Sequence, residues 1–167
     1  MTNRRRAAAF SGGIVAIYLI AVASIQVVAP DILIEPSAFP TSCPDNSKNC
    51  TMIGPNPHRG EGLTELRFDS SLGVVLSEVE SWVDSEPRTE IIGEWPEQTH
   101  AVFRTLLWRF PDDFVVNGHC DDGSAVLHVY SKSRLGVGDL GVNDDRVKRF
   151  VDHMSNVEMA TLDCVEG

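Results

Sequence analysis

The chain has 167 residues, with 14 Lys and Arg against 24 Asp and Glu, a formal charge of −10 and a hydrophobic share of 43%. That size and apolar share describe one globular domain and exclude a disordered or collagen-like chain. The acid excess argues against nucleic acid as a partner, because phosphate contacts need a basic face.

Residues 1–29 contain no Asp or Glu and carry three cations, Arg4, Arg5 and Arg6. The other 11 cations face all 24 acidic residues, so the region from Pro30 onward stands at −13. Only Lys48, Lys132 and Lys148 among those cations are lysines. A Lys-poor, acidic surface fits a salt-adapted, halophilic protein whose carboxylates are screened by dense counterions, and it equally fits an ordinary acidic ectodomain.

Residues 7–28 hold no charge, and as a helix they span about 33 Å, enough for a hydrocarbon core. With Arg4–Arg6 before this stretch and no further cation until Lys48, the positive-inside rule predicts a cytoplasmic basic tail at residues 1–6. Everything after Pro30 then lies outside, in a single-pass protein held in the cell membrane by this one helix. A cleaved secretory signal is the competing reading, with Ala21-Val22-Ala23 as its small-x-small site. The apolar run continues through Ile25, Val27 and Val28, which favours an uncleaved anchor.

Residues 29–57 hold six of the nine prolines and show no sustained period, so they read as a stalk. An exported chain meets no reducing pool, so Cys43, Cys50, Cys120 and Cys164 are disulfide candidates, and four cysteines allow three pairings. Cys43 and Cys50 bracket the polar loop CPDNSKNC, which can close on itself and leave Cys120 for Cys164. Free, buried thiols are the alternative. Asn49-Cys50-Thr51 satisfies a glycosylation sequon, one that a bridged Cys50 would hinder.

The exported domain is placed at residues 58–167. Leu72, Val75, Leu76, Val79, Trp82 and Val83 fall on one face of a helix over 70–84, and Pro87 closes its exit. Val147, Phe150, Val151 and Met154 repeat that stripe over 143–155, with Asn143 as the expected cap and Asp144 and Asp145 at the positive end of the dipole. Between the helices, strands are expected at 89–95, 100–109, 114–119 and 125–131, with an edge strand at 64–68. Turns are expected at Pro96, at Pro111-Asp112-Asp113 and at Asp121-Asp122-Gly123. The element order predicts an α+β domain: an antiparallel sheet of about four to five strands with two helices on one face. The other face, with Arg104, Trp108, His128 and Tyr130, is left to be covered or used.

The segment SKSRLGVGDLGVNDDRVKRF, together with RFPDDF, EPR and the CPDNSKNC loop, resembles the domain of unknown function (DUF) 1499 family over residues 43–155. Lys48 stands where that family carries a proline. The resemblance implies a strand, loop and closing helix at 131–150 and implies no activity, since the family has no established reaction.

Gly136-Val137-Gly138-Asp139-Leu140-Gly141 matches GxGxxG, but no room follows for a second parallel strand and the nearby carboxylates would repel a pyrophosphate, so no cofactor is assigned. Arg134, Asp139, Asn143 and Arg146 read first as a structural cluster in which Arg134 pairs with Asp139. As ligand-binding candidates, the two arginines would grip a carboxylate or headgroup. No catalytic or metal-ligating set is assigned: His100, His119 and His128 lie on neighbouring strands without a ligand pattern, and no GxSxG elbow is present. The expectation is a membrane-anchored module that binds an envelope protein or small ligand without doing chemistry. A hydrolase or metal-dependent enzyme using Asp112, Asp113, His119 and His128 is the alternative.

Overall fold

The computed structural model describes residues 2–165, with side chains from residue 11 onward, and among these it contains three α-helices and six strands. Met1, Glu166 and Gly167 lie outside the described residues, as do the side chains of the basic tail read at Arg4, Arg5 and Arg6. Helix α1 (Thr2–Val28) includes Ser11–Val28, an exposed stretch long and apolar enough to cross a membrane, a property that anchors share with signal sequences.

The strands β1 (Cys50–Ile53), β2 (Leu66–Phe68), β3 (Thr89–Trp95), β4 (Gln98–Arg104), β5 (Pro111–Asp121) and β6 (Ser124–Ser133) form one antiparallel sheet. Its order is β1-β6-β5-β4-β3, and β2 shares the outer edge of β6 with β1 because β1 pairs with 129–132 and β2 with 125–127. Helices α2 (Leu72–Ser85) and α3 (Val142–Asn156) cover one face, giving the expected α+β class. The central hairpin turns at Asp122 and Gly123, with φ of 47° and 78°. Left-handed backbone at both positions suits an Asp-Gly pair and matches the twist of the strands it joins.

The apolar stripes of both helices meet the even-numbered residues of β5 and their register partners. Trp82 of α2 lies 5.4 Å from Phe114, 5.8 Å from Phe103 and 5.1 Å from Phe150 of α3, centroid to centroid. Tilted and edge-on aromatic pairs of this kind contribute about 0.5–1.5 kcal/mol each beyond area burial. Helix α2 thus sits where one ring touches both strands and the other helix.

The other face is covered by the segment read as a stalk. Ile34 and Phe39 pack on Met52, Val115, Tyr130 and the Cys43–Cys50 bridge. Proline density hid this role: the prolines flank residues 50–53 without interrupting them, and a strand buried at all four positions shows no alternation. Met52 also exchanges both backbone hydrogen bonds with His58, so β1 has partners on both sides. Two other expectations are corrected. The turn expected at Pro111-Asp112-Asp113 is the start of β5, which runs on past the expected end at 119 to include Cys120, and β4 stops at Arg104, short of the expected 109. Asn49 is buried with its amide donating to the Gly136 carbonyl, so the sequon has no free acceptor.

Cys43 is bridged to Cys50, and Cys120 to Cys164. The second bridge holds the chain end against the 121–123 turn, where the Cys164 N–H also donates to the Gly123 carbonyl. Its sequence separation of 44 closes a far longer loop than the separation of 7 in the first. Denaturant unfolding of the full chain should therefore show a loss of roughly 3–4 kcal/mol for Cys120→Ser with Cys164→Ser and roughly 2–3 kcal/mol for Cys43→Ser with Cys50→Ser. The reverse order would contradict this account of the bridges.

Candidate functional site

Consecutive residues of a strand point to opposite faces, and β5 begins with two carboxylates. Asp112 faces the helices and accepts a 2.8 Å bond at Oδ2 from Arg146 Nη2 of α3. Asp113 faces the other way, and its Oδ1 meets Arg134 Nε at 3.0 Å, Arg134 Nη2 at 2.8 Å and His100 Nε2 at 2.9 Å. Both carboxylates are buried. Arg134 also donates to the carbonyls of Pro30 and Ile32, while His100 Nδ1 accepts from the Ile34 N–H and Gln98 Nε2 donates to the Ile34 carbonyl. These side-chain bonds do for residues 30–34 what a neighbouring strand would otherwise do. Burial pushes the nearby Tyr130 hydroxyl up to about 12, with the Asp113 charge adding to the effect.

On the helix side, Asn143 is the hub. Its amide donates to Asp139 Oδ2 at 2.7 Å and to Ser133 Oγ at 3.1 Å, and its Oδ1 accepts from Ser131 Oγ at 2.6 Å and from Arg146 Nη1. Asn143 is therefore not the cap of α3. Gly141, at φ 90°, turns the chain into the helix, and Asp139 accepts from the backbone N–H groups of Gly141 and Asn143. Burial pushes the Asp139 carboxyl up, but these N–H groups, the Asn143 amide and Arg59 outweigh it and hold the group below its ordinary range. Gly136 and Gly141 both have positive φ, which accounts for two glycines of the GxGxxG match without a ligand.

Three of the four ligand-binding candidates, Asp139, Asn143 and Arg146, thus share one hydrogen-bonded cluster. Arg134 does not join it. The expected Arg134–Asp139 pair is replaced by Arg134–Asp113 on the far side of the sheet and Arg59–Asp139 at 3.5 Å. The alternative catalytic set is also divided. Asp112 and Asp113 face apart, while His119 and His128, with ring centroids 5.5 Å apart, lie toward the other end of β5 and β6. Burial and the neighbouring His119 lower the His128 imidazole below its ordinary value. His100 is tied to Asp113 and is away from both.

Several concavities border the cluster, and the one that Asp112 lines is walled mostly by apolar side chains. This cavity, of about 320 Å³, opens between the loops 105–110 and 135–142. Leu107, Trp108, Phe110, Leu135 and Leu140 wall it, and Asp112, Ser133 and Asp139 supply its polar groups. Asp112 Oδ1 is buried with no hydrogen-bond partner among the described residues, as is Arg146 Nε. An unmatched buried acceptor costs about 1–3 kcal/mol, and the two unmatched atoms here belong to one ion pair that is joined through Asp112 Oδ2 alone. A strand expected through 105–109 leaves no room for this cavity; the signal against it is the run Leu106-Leu107-Trp108, apolar at consecutive positions without alternation and separated from Pro111 only by Arg109 and Phe110.

A family model described as "Protein of unknown function (DUF1499)" matches residues 37–154. No curated protein matches the chain.

Because its folded pKa is lowered, Asp139 stabilises the fold fully above its unfolded value near pH 4 and loses that contribution as pH falls through the folded value. Urea unfolding between about pH 5 and pH 2 should show stability declining with acid, and Asp139→Asn should flatten part of that decline. An unchanged slope would contradict the assignment.

Proposed function

The chain belongs to the DUF1499 family, whose description assigns no function, and from that premise we propose a membrane-anchored, extracytoplasmic module that binds a small ligand without doing chemistry. The observation that carries this reading is the unpartnered Asp112 oxygen beside an apolar-walled cavity. A ligand suited to it is mostly apolar and carries one hydrogen-bond donor, such as an amine or hydroxyl, directed at Asp112. Arg134, given over to Asp113 and the Pro30 and Ile32 carbonyls, serves to hold residues 30–34 and not to grip a ligand.

Three features support the location. Arg4, Arg5 and Arg6 precede the apolar stretch of α1, two disulfides suit an oxidising compartment, and all 24 acidic residues lie beyond residue 29, on one side of that stretch. On this reading α1 is an uncleaved single-pass anchor, the N-terminus is cytoplasmic, and residues from Pro30 onward form the external domain. No observation favours the hydrolase reading, since a reaction needs its groups at one centre and Asp112, Asp113, His119 and His128 occupy three separate places.

Native mass spectrometry of the full chain, released from its own membrane in mild detergent, tests the binding. A retained small-molecule adduct that disappears in Leu135→Trp, which fills the cavity, is the expected result. An adduct-free wild type, or one whose adduct survives Leu135→Trp, would overturn it.

A further inference from the structure

The loop that walls the cavity also ends in an apolar tip. Leu106 is 73% exposed and Leu107 61%, and the neighbouring loop adds Leu140 with its side chain fully exposed. Five large apolar residues, counting Trp108 and Val137, therefore project from one end of an otherwise acidic domain. Leu107, Trp108 and Leu140 border the same cavity, and exposed apolar side chains gathered in this way on a soluble surface mark a contact.

Helix α1 identifies what that contact is. The Tyr18 hydroxyl donates to the Leu107 carbonyl at 2.7 Å, the Tyr18 ring lies 5.9 Å from Trp108, and Gln26 Nε2 donates to the Arg109 carbonyl at 2.7 Å. Tyr18 and Gln26 are eight residues apart, so the loop runs beside the helix for about 12 Å of its C-terminal half. If that helix is in a bilayer, the tip is at the bilayer too.

The base of the loop is closed by its own hydrogen bonds. Thr105 and Phe110 bond each other through the Thr105 N–H and the Thr105 hydroxyl, and the Arg109 N–H donates to the Thr105 carbonyl. The outward carbonyls of Leu107 and Arg109 are the ones that α1 satisfies. The N–H groups of Leu106, Leu107 and Trp108 have no partner among the described residues, so the turn itself belongs at the hydrated headgroup level, with its apolar side chains and not its backbone reaching the acyl chains. Arg88, Arg104 and Arg149 border this end together with Glu86; Arg149 pairs with Glu86 and Arg104 with Glu90, so the cations here are partly neutralised and the apolar tip carries the contact.

We propose that the tip formed by Leu106, Leu107 and Trp108, with Leu140 beside it, dips into the outer leaflet of the membrane that α1 spans. This rests on the anchor reading of α1. It fixes the domain against the lipid surface and turns the mouth of the Asp112 cavity toward the bilayer, so that an amphiphile can reach it from the lipid.

The test uses the full chain reconstituted into vesicles of phosphatidylcholine with brominated acyl chains. Trp108 emission is read as the difference between wild type and Trp108→Phe, and intact mass reports whether α1 is retained. Quenching of that difference emission by brominated lipid, with loss of acrylamide quenching, is the expected result. Quenching by acrylamide alone would overturn the proposal, placing the tip in water. Protection from both quenchers would also overturn it, pointing to a second copy or another protein over the tip. A chain of full mass without lipid quenching removes only the leaflet contact; a mass lacking the apolar helix removes the anchor reading itself.

Discussion

Two adjacent carboxylates that must face opposite sides of a sheet organise this molecule. The period of two along β5 gives Asp112 no choice but the helix side and Asp113 no choice but the other. Neither can be buried unpaired, since an isolated charge in the interior loses several kcal/mol of solvation. Arg146 reaches Asp112 from α3, and Arg134, at the end of β6, folds back with His100 onto Asp113. The dipeptide thereby locates the last helix on one face and the segment 30–34 on the other. Removing one member of such a pair costs about 3–5 kcal/mol, more than the pair's net contribution to stability, so these ions act chiefly to specify where each layer goes.

The cavity follows from the same arrangement. Arg146 occupies Oδ2 of Asp112 and leaves Oδ1 without a partner, and Asp112 is one of the residues lining the cavity between the loops 105–110 and 135–142. Asp139 and Asn143 brace the second of those loops through the helix entrance, so the wall of the cavity and the start of α3 are one structure. A site built in this way has fixed polar groups and adaptable apolar walls, as a small-ligand pocket requires.

Much of the framework was legible from patterning. Apolar residues at steps of three and four located both helices of the domain, the Asp-Gly pair located the central hairpin, and the spacing of the cysteines fitted the two bridges that form. What escaped was whatever depends on the third dimension. β1 is buried at every position and so carries no alternation, and prolines on either side disguised it as linker. Asp112 and Asp113 look like a turn because paired Asp after Pro usually is one; only the register with β4 and β6 shows them as strand. Asn143 has the composition of a helix cap, yet it lies inside α3 because Gly141 and Asp139 already perform the capping. Arg134 was paired with the nearest carboxylate in sequence, whereas its side chain crosses to the opposite face of the sheet. For Asp113 and Arg134 the sequence offers a local arrangement where the fold supplies a distant partner.

Hydrogen–deuterium exchange on the full chain, comparing Asp112→Asn with Asp113→Asn, tests the opposed-carboxylate arrangement most directly. Asp112→Asn should speed exchange in Val142–Asn156 while leaving the Ile34 amide, which donates to His100, exchanging as in the wild type. Asp113→Asn should do the opposite. If both variants loosen the same elements, or if neither changes protection on its own face, the two carboxylates do not hold the two layers.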